Sequence, residues 1–556
     1  MKKQILLRFR RIAVIGFLCL LGITSHAQTP NWLWAKSACG TENDEATSVA
    51  VDALGNTYVT GFFESPTISF DSTTLTNVWS SLKDIFLAKY DTSGNVLWAI
   101  SAGGTDDDYA ISIAADDSGN TYITGWFSSP TLTLGATTLT NTGVYDIFLA
   151  KYDPNGNVLW AKSAGGAGHD RAYSVAIDAS GNAYVAGHFQ STTVLFGSIT
   201  LTNAYAGYFD VFLAKYDASG NILWAKSAGG TGDDKVNSVA VDASGNAYLA
   251  GYFYSLTLPF GTTTLTNVSS TGTSADMFLA KYDNAGNVLW AKSAGGVLDD
   301  YANSVVVNAS GNAYVAGDFN SPTIAFNSTT LTNAGYKDIY LTKYDSNGNM
   351  LWAKGAGGTD NDKPNSVALD ASGNIYMTGF FKSPALAFVS TTLTSVGYED
   401  IFIAKYDASG NDLWAKSAGG ADNDEVKSVV IDASGNTYVT GFYSYSTIIF
   451  GSIALVNCGI GDMFLAKLES SCVTGINELG DPLNISVFPN PATDNLIIEA
   501  PQNATIELLN IEGQLIKTIA AKENITNIDI SGFSKGMYFV KIKDEKWIAV
   551  KKFVKG

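Results

Sequence analysis

The sequence predicts an all-β chain: a seven-bladed β-propeller with four strands per blade, followed by a small Ig-like β-sandwich. Three observations carry this prediction. A Leu-Trp-Ala-Lys-Ser-Ala-Gly-Gly segment recurs with little change, its tryptophans at Trp34, Trp98, Trp160, Trp224, Trp290, Trp352 and Trp414, 62–66 residues apart. That period exceeds helical solenoid repeats and fits one four-stranded blade with a long loop. The 556 residues are rich in Gly, Thr, Ser, Asn and aromatics and only 15% charged, which suits strands joined by many turns. The repeat region also opens on one type of strand and closes on another, as a ring sealed by its own ends requires.

Residues 1–27 read as a signal peptide. Lys2, Lys3, Arg8, Arg10 and Arg11 precede the apolar run Ile12 to Ile23, which is short for a membrane-spanning helix. Ser25-His26-Ala27 offers a small-x-small site, so cleavage is expected between Ala27 and Gln28. The competing reading is an uncleaved anchor. No other stretch is long and apolar enough to span a membrane as a helix, so the mature chain is expected to carry no transmembrane segment.

Residues 28–468 hold the blades. In the third unit, Tyr173 to Asp178 reads as the first strand and Ala183 to Phe189 as the second. After an insertion come Asp210 to Tyr216 and Ile222 to Ala228. Ala179-Ser180-Gly181-Asn182 and Asp217-Ala218-Ser219-Gly220-Asn221 are turns, with Gly supplying a left-handed residue. Apolar residues on both faces of the second and third strands imply sheets covered on both sides.

The repeat region opens with a fourth-type strand, Trp32 to Ala38, and closes with a third-type strand, Asp462 to Leu468. The first strand should therefore complete the last blade; the alternative is an open β-array that starts mid-repeat. Closure places Cys39 near Gly461, three residues from Cys458, with Cys472 at the other end of the blade. A Cys39–Cys458 disulfide is expected, as an exported compartment allows. The competing reading is three free thiols.

The run Asp178 to Gly187, Asp-x-x-Gly-Asn-x-Tyr-Val-x-Gly, resembles the bacterial propeller repeat family abbreviated SBBP, over roughly residues 31–468. The resemblance implies a fold and no single activity.

A polar linker over 469–484 separates the repeats from 485–556. In that tail, Asn495 to Glu499, Thr505 to Asn510, Gln514 to Ile519, Tyr538 to Lys543 and Trp547 to Val554 read as strands. The motif Val487-Phe488-Pro489-Asn490-Pro491, the turn Ile511-Glu512-Gly513, the segment Gly536-Met537-Tyr538 and the basic end Lys551-Lys552-Phe553-Val554-Lys555 resemble the type A sorting domain of the type IX secretion system in Bacteroidota. That resemblance implies the type IX machinery as a partner, export through the periplasm, removal of the tail in the linker, and a secreted or outer-membrane surface-attached product. The alternative is an ordinary accessory β-domain.

The net charge is −18, with the acidic excess in the repeats, so nucleic acid is not an expected partner. Seven aspartates, Asp44, Asp108, Asp170, Asp234, Asp300, Asp362 and Asp424, sit four residues before seven serines, in what reads as the loop between blades. One expectation is a ring of negative charge at the channel mouth that takes a hard cation such as calcium. The competing one is that each Asp locks its own turn. A second series, Asp84, Asp146, Asp210, Asp276, Asp338, Asp400 and Asp462, opens the third strands, with Lys five residues on, and reads as structural together with the core tryptophans.

Enzyme chemistry is poorly supplied. Beyond the leader the chain has one arginine, Arg171, and two histidines, His169 and His188; a Ser-His-Asp triad or an arginine cluster has little to draw on. No catalytic residue and no cofactor other than that calcium is expected. The mildest breaks in repeat symmetry are Gly168 to Arg171, Pro364 and the longer insertion Ser269 to Ala275. The expected function is a non-catalytic binding or adhesion scaffold for an extracellular protein or glycan. The alternative is an exported carbohydrate-active enzyme, hydrolase or lyase, working through carboxylates on the acidic face.

Overall fold

The structure, a computed structural model, describes residues 29–470, 485–502, 504–510, 514–543 and 548–556. The expected leader with its Ala27–Gln28 site, most of the linker, Cys472 and the Ile511-Glu512-Gly513 turn lie outside them. All regular elements among the described residues are strands, and no helix there is long and apolar enough to cross a membrane. The chain divides into two compact units, Met1–Ser471 and Cys472–Gly556.

The first unit contains seven four-stranded antiparallel sheets among its described residues. Six are each built from a single stretch of chain, such as Asp170–Ile177, Ala183–Phe189, Asp210–Tyr216 and Ile222–Ala228. In the seventh, Trp32–Ala38 pairs antiparallel with Gly461–Leu468, Ala35 opposite Ala466 and Ala38 opposite Met463. The sheets meet face to face through inner-strand serines. Ser48 Oγ accepts the Ile113 N–H at 3.2 Å, Ser112 the Val175 N–H at 3.1 Å, and so on to Ser428, which accepts the Val49 N–H at 3.3 Å. The last sheet is thus bonded to the first, and the arrangement is propeller-like.

Local chemistry explains each sheet. Between first and second strands, Asp52 Oδ1 accepts the N–H groups of Leu54 and Asn56 at 3.0 and 2.9 Å, and Asn56 Nδ2 donates to Asp52 Oδ2 at 2.8 Å. Gly55 sits at φ +82°, where a side chain would be strained. In the second strand Tyr58 is fully buried; Trp98 packs edge-on against it at 6.2 Å, and the Lys89 ammonium lies 4.8 Å over its ring. The same Tyr–Trp–Lys trio recurs in every sheet, and Trp34 and Tyr438 form the seventh pair from opposite ends of the unit.

Three details differ from the sequence reading. The first strands begin at the aspartate, three residues early, because each carries a β-bulge, as between Ala172 and Ser174. Each insertion folds into a hairpin, such as Thr67–Phe70 with Thr73–Thr76, that straps the sheet before it: Cys39 and Ser69 exchange backbone hydrogen bonds at 3.2 and 2.9 Å. Of the seven repeated tryptophans only Trp414 is buried outright, at 2% exposure; the others are half-buried, capping their tyrosines from the rim.

The second unit is two antiparallel sheets around one core. Ser486–Phe488, Asn495–Glu499 and Ile525–Asp529 form one; Leu515–Ala520, Thr505–Leu509, Gly536–Lys543 and Ile548–Lys555 form the other. Leu496, Ile498, Ile506, Leu508, Val540, Ile542 and Phe553 fill the space between them.

Candidate binding face

The bulges build the site. An extra residue in a strand turns its side chain out of the alternating pattern. Here the seven bulged residues, Thr47, Ile111, Tyr173, Asn237, Asn303, Asn365 and Lys427, all line one cavity of about 480 Å³. The serine that follows each of them makes the inter-sheet bond, so the scaffold residue and the variable residue are adjacent in sequence. The cavity opens among the strand ends nearest the insertions, where Phe62, Tyr109 and Trp126 join the wall.

The wall is uneven. Across the first three sheets the rings form a continuous row: Phe62–Tyr109, Tyr109–Trp126 and Trp126–Tyr173 are each 5.1 Å apart, the first edge to face and the other two tilted at 31° and 38°, and Tyr173 stacks on His188 at 4.6 Å. Across the fourth to sixth sheets the bulge supplies an amide. Asn237, Asn303 and Asn365 each donate Nδ2 to a carbonyl of the next sheet, those of Ala302, Pro364 and Val426, at 2.8–2.9 Å.

The aspartates expected to ring this mouth with exposed charge do not. Asp44, Asp108, Asp170, Asp234, Asp300 and Asp362 are 0% exposed and Asp424 1%. Six of them accept a serine hydroxyl from the end of their own second strand, as Ser65 Oγ to Asp44 Oδ2 at 2.7 Å and Ser129 Oγ to Asp108 Oδ2 at 2.8 Å. They lock the chain at each junction, and the mouth itself carries mixed charge, with Lys427 beside Glu425 at 2.7 Å and Lys83 beside Glu64 at 2.8 Å. Burial pushes the carboxyls up, to about 7 for Asp44, Asp108, Asp234 and Asp300, about 6 for Asp362 and about 8 for Asp424.

The second series meets the first across the junctions. Asp84 lies close enough to Asp108 to raise it further, and Asp462 does the same to Asp44 across the closure. Burial holds Asp84, Asp146, Asp210, Asp276 and Asp338 at about 6. Among the described residues the one group of three potential metal ligands within 4.8 Å of one another is Cys39, Cys458 and Asp462, and its two sulfurs are bonded to each other. None of the seven aspartates expected to hold calcium belongs to it.

Cys39 and Cys458 form a disulfide, their Cα atoms 5.7 Å apart. His188 is 3% exposed; burial, then the charges of Lys235 and Arg171, hold it neutral. Arg171 lies over the Tyr145 and Trp126 rings at 4.7 and 5.4 Å.

In the second unit the motif residues converge. Asn490, between Pro489 and Pro491, accepts the Val554 N–H on Oδ1 at 2.9 Å and donates Nδ2 to the Lys552 carbonyl at 3.3 Å, tying the Pro-Asn-Pro segment to the basic last strand. Gly536 opens the neighbouring strand opposite Lys555, and Lys551 pairs with Val540. Tyr538 stacks on Phe553 at 5.4 Å and donates its hydroxyl to the Ser534 carbonyl at 2.8 Å.

The bulged positions were missed in the sequence, although a signal exists: the serine repeats seven times unchanged, while the residue before it is in turn Thr, Ile, Tyr, Asn, Asn, Asn and Lys. The comparisons bear mainly on the tail. Residues 486–556 match the model of the secretion system C-terminal sorting domain. An uncharacterized WD repeat-containing protein, L264, of Acanthamoeba polyphaga mimivirus is 25% identical over 77% of this chain and 37% of its own length. The regulatory protein FlaEY of Caulobacter vibrioides is 26% identical over 48% of this chain and 30% of its own length. The chain thus spans about a third of the length of these curated relatives. Solved structures similar to it include Sqt1 of Chaetomium thermophilum (TM-score 0.38, 10% identity, 74% of this chain and 97% of that one). Another is PorZ, a surface component of the type IX secretion system of Porphyromonas gingivalis (TM-score 0.19, 10% identity, 94% and 100%).

Proposed function

We propose, taking as premise that the sorting tail marks this chain for type IX export to the cell surface or beyond, that the chain is a seven-bladed β-propeller of the SBBP type acting as a non-catalytic scaffold. It binds an extracellular glycan or protein at its insertion end. On this reading residues 1–27 are removed at Ala27–Gln28, the Ig-like tail is recognised by the secretion machinery and cut off in the linker, and no cofactor is needed.

The observation that carries the reading is the unevenness of the mouth. A position serving only the repeat would keep one residue seven times, as the stitching serines do. The mouth instead presents rings on one side, Phe62, Tyr109, Trp126 and the bulged Tyr173, and the bulged amides Asn237, Asn303 and Asn365 on the other, a mixture suited to a ligand with apolar and polar faces. The test is a panel of glycans and surface proteins read for both binding and turnover, with Tyr109→Ala as the probe. Binding weakened without a change in melting temperature supports the mouth as the site. The catalytic alternative is not favoured; its best acid is Glu45, which burial and the neighbouring Glu425 push up. Turnover of a panel member that Glu45→Gln abolishes would overturn the non-catalytic reading.

A further inference from the structure

Beside the axial cavity, and separate from it, a second cleft of about 510 Å³ opens between the third and fourth sheets. Its size falls in the range of roughly 300–1,000 Å³ that holds small ligands. Tyr208, Tyr252, Tyr254 and Leu256 supply its apolar walls, and Asp233 and Lys235 its charges. We propose that this cleft is a binding site for a neutral oligosaccharide, a reading that deepens the binding function proposed above.

Four observations point there. The first is where the cleft lies. The longest insertion of the seven, between Asn267 and Asp276, reaches it with Thr271 and Gly272, and the lengthened insertion of the third sheet reaches it with Tyr208. Two departures from the repeat converge on one hollow.

The second is residue identity. In the other repeats Tyr254 is replaced by Glu64, Ser128, Gln190, Asn320, Lys382 and Ser444, and Leu256 stands where Pro66, Pro130, Pro322 and Pro384 stand. The fold does without these side chains six times over, so the repeat does not demand them.

The third is ring geometry. Tyr252 and Tyr254 are crossed at 81° with centroids 6.1 Å apart, Tyr252 meets Tyr301 edge-on at 4.6 Å, and the Tyr254 and Tyr301 hydroxyls are 3.2 Å apart. These rings are fixed before any ligand arrives, while Tyr208 is 44% exposed and Leu256 likewise. A sugar's axial C–H groups carry partial positive charge and settle on the negative face of such a ring.

The fourth is charge. Asp233 and Lys235 pair at 3.1 Å, and Asp233 Oδ1 also accepts the Phe209 N–H at 3.1 Å. The cleft is therefore balanced, offering both donors and acceptors to hydroxyls without selecting an ion. A protein partner would need about 800 Å² of surface on each side, far more than a hollow of this size presents.

The experiment uses the full-length protein on an array of neutral hexose and N-acetylhexosamine oligosaccharides, with acidic glycans alongside, followed by calorimetry on the hits. Tyr208→Ala and Tyr254→Ala are expected to weaken binding about tenfold or more. Tyr208→Phe should retain it, and melting of the Tyr208 variants should stay at the parent value. Tyr109→Ala, at the axial mouth, should leave this binding untouched. Loss of neutral-glycan binding in Tyr109→Ala but not in Tyr208→Ala would overturn the cleft while sparing the axial reading. Binding of acidic glycans alone, or of no glycan at millimolar concentration, would overturn the assignment of ligand class.

Discussion

Asp424 differs from its six counterparts by one partner. Where Ser129 stands behind Asp108, the seventh sheet has Tyr445, held at φ +52°, and Asp424 Oδ1 has no hydrogen-bond partner. Its carboxyl is accordingly pushed highest of the series, to about 8. The serine hydroxyls thus offset part of the cost of burying these acids. Ser129→Ala should destabilise the protein by about 1–3 kcal/mol, since it leaves a buried acceptor short of its donor; chemical denaturation measures this. The pH dependence follows from the same groups. A carboxyl whose folded value is raised contributes its stability in full below its unfolded value and loses it as pH climbs through the folded one. Melting temperature should therefore fall as pH rises from about 4 to about 8. The turn aspartates, among them Asp91, Asp153 and Asp217, act oppositely. Hydrogen bonds from Asn95, Asn157 and Asn221 hold them below the usual range, and their contribution is lost as pH drops further. A thermal melt series across pH should peak in mild acid and decline on both sides; a protein most stable at pH 8 would contradict the burial described.

At the scale of the element, the bulge separates two jobs that adjacent residues perform. The serine must stay, because it holds the next sheet; the residue before it is free to change. Tyr173→Asn should give a protein that melts close to the parent, the new amide reaching the Val236 carbonyl as Asn237 reaches that of Ala302. Ligand binding at the mouth should weaken, as read on the same panel. Gly103 is the opposite case. A Cβ there would lie 2.0 Å from Asp84 Oδ1, so Gly103→Ala should lower the melting temperature sharply. The bulge also marks the limit of what sequence pattern discloses. Turns, second strands and third strands were legible, because Asp-x-x-Gly-Asn and runs such as Asp-Val-Phe-Leu-Ala-Lys-Tyr speak through turn chemistry and apolar content. The start of each first strand was not, because the extra residue breaks the two-residue period and makes Asp170 to Ala172 look like loop. For the same reason the aspartates read as exposed: nothing in an acidic residue announces that a serine 21 positions on will bury it. In the tail, Ile525–Asp529 went unread, its Thr and Asn being as common in turns as in short strands.

For the whole molecule, closure is the governing fact. The seventh sheet takes strands from both ends of the unit, the stitching hydrogen bonds return from Ser428 to Val49, and the disulfide joins positions 419 residues apart. Replacing Cys39 and Cys458 with Ser should lower stability, by up to about 6 kcal/mol in the chain-entropy account. The ring should still close, since the paired strands remain; melting with and without reductant reads this. Removing residues 29–38 is the harsher change. It leaves Gly461–Leu468 as an open edge of buried side chains, and size-exclusion chromatography should show self-association through it.

The pairing of Trp32 with Leu468 also fixes where the chain enters and leaves this unit. Asn31 and Glu469 are hydrogen-bonded to each other at 2.9 Å, and Ser470 reaches Asn436 in the turn that starts the second strand. Both exits therefore sit at one corner, on the rim away from the insertions. A tether from either direction grips the ring by its back like the stem of a cup, so that neither immobilisation nor a fused reporter should obstruct the opposite face, where binding is proposed.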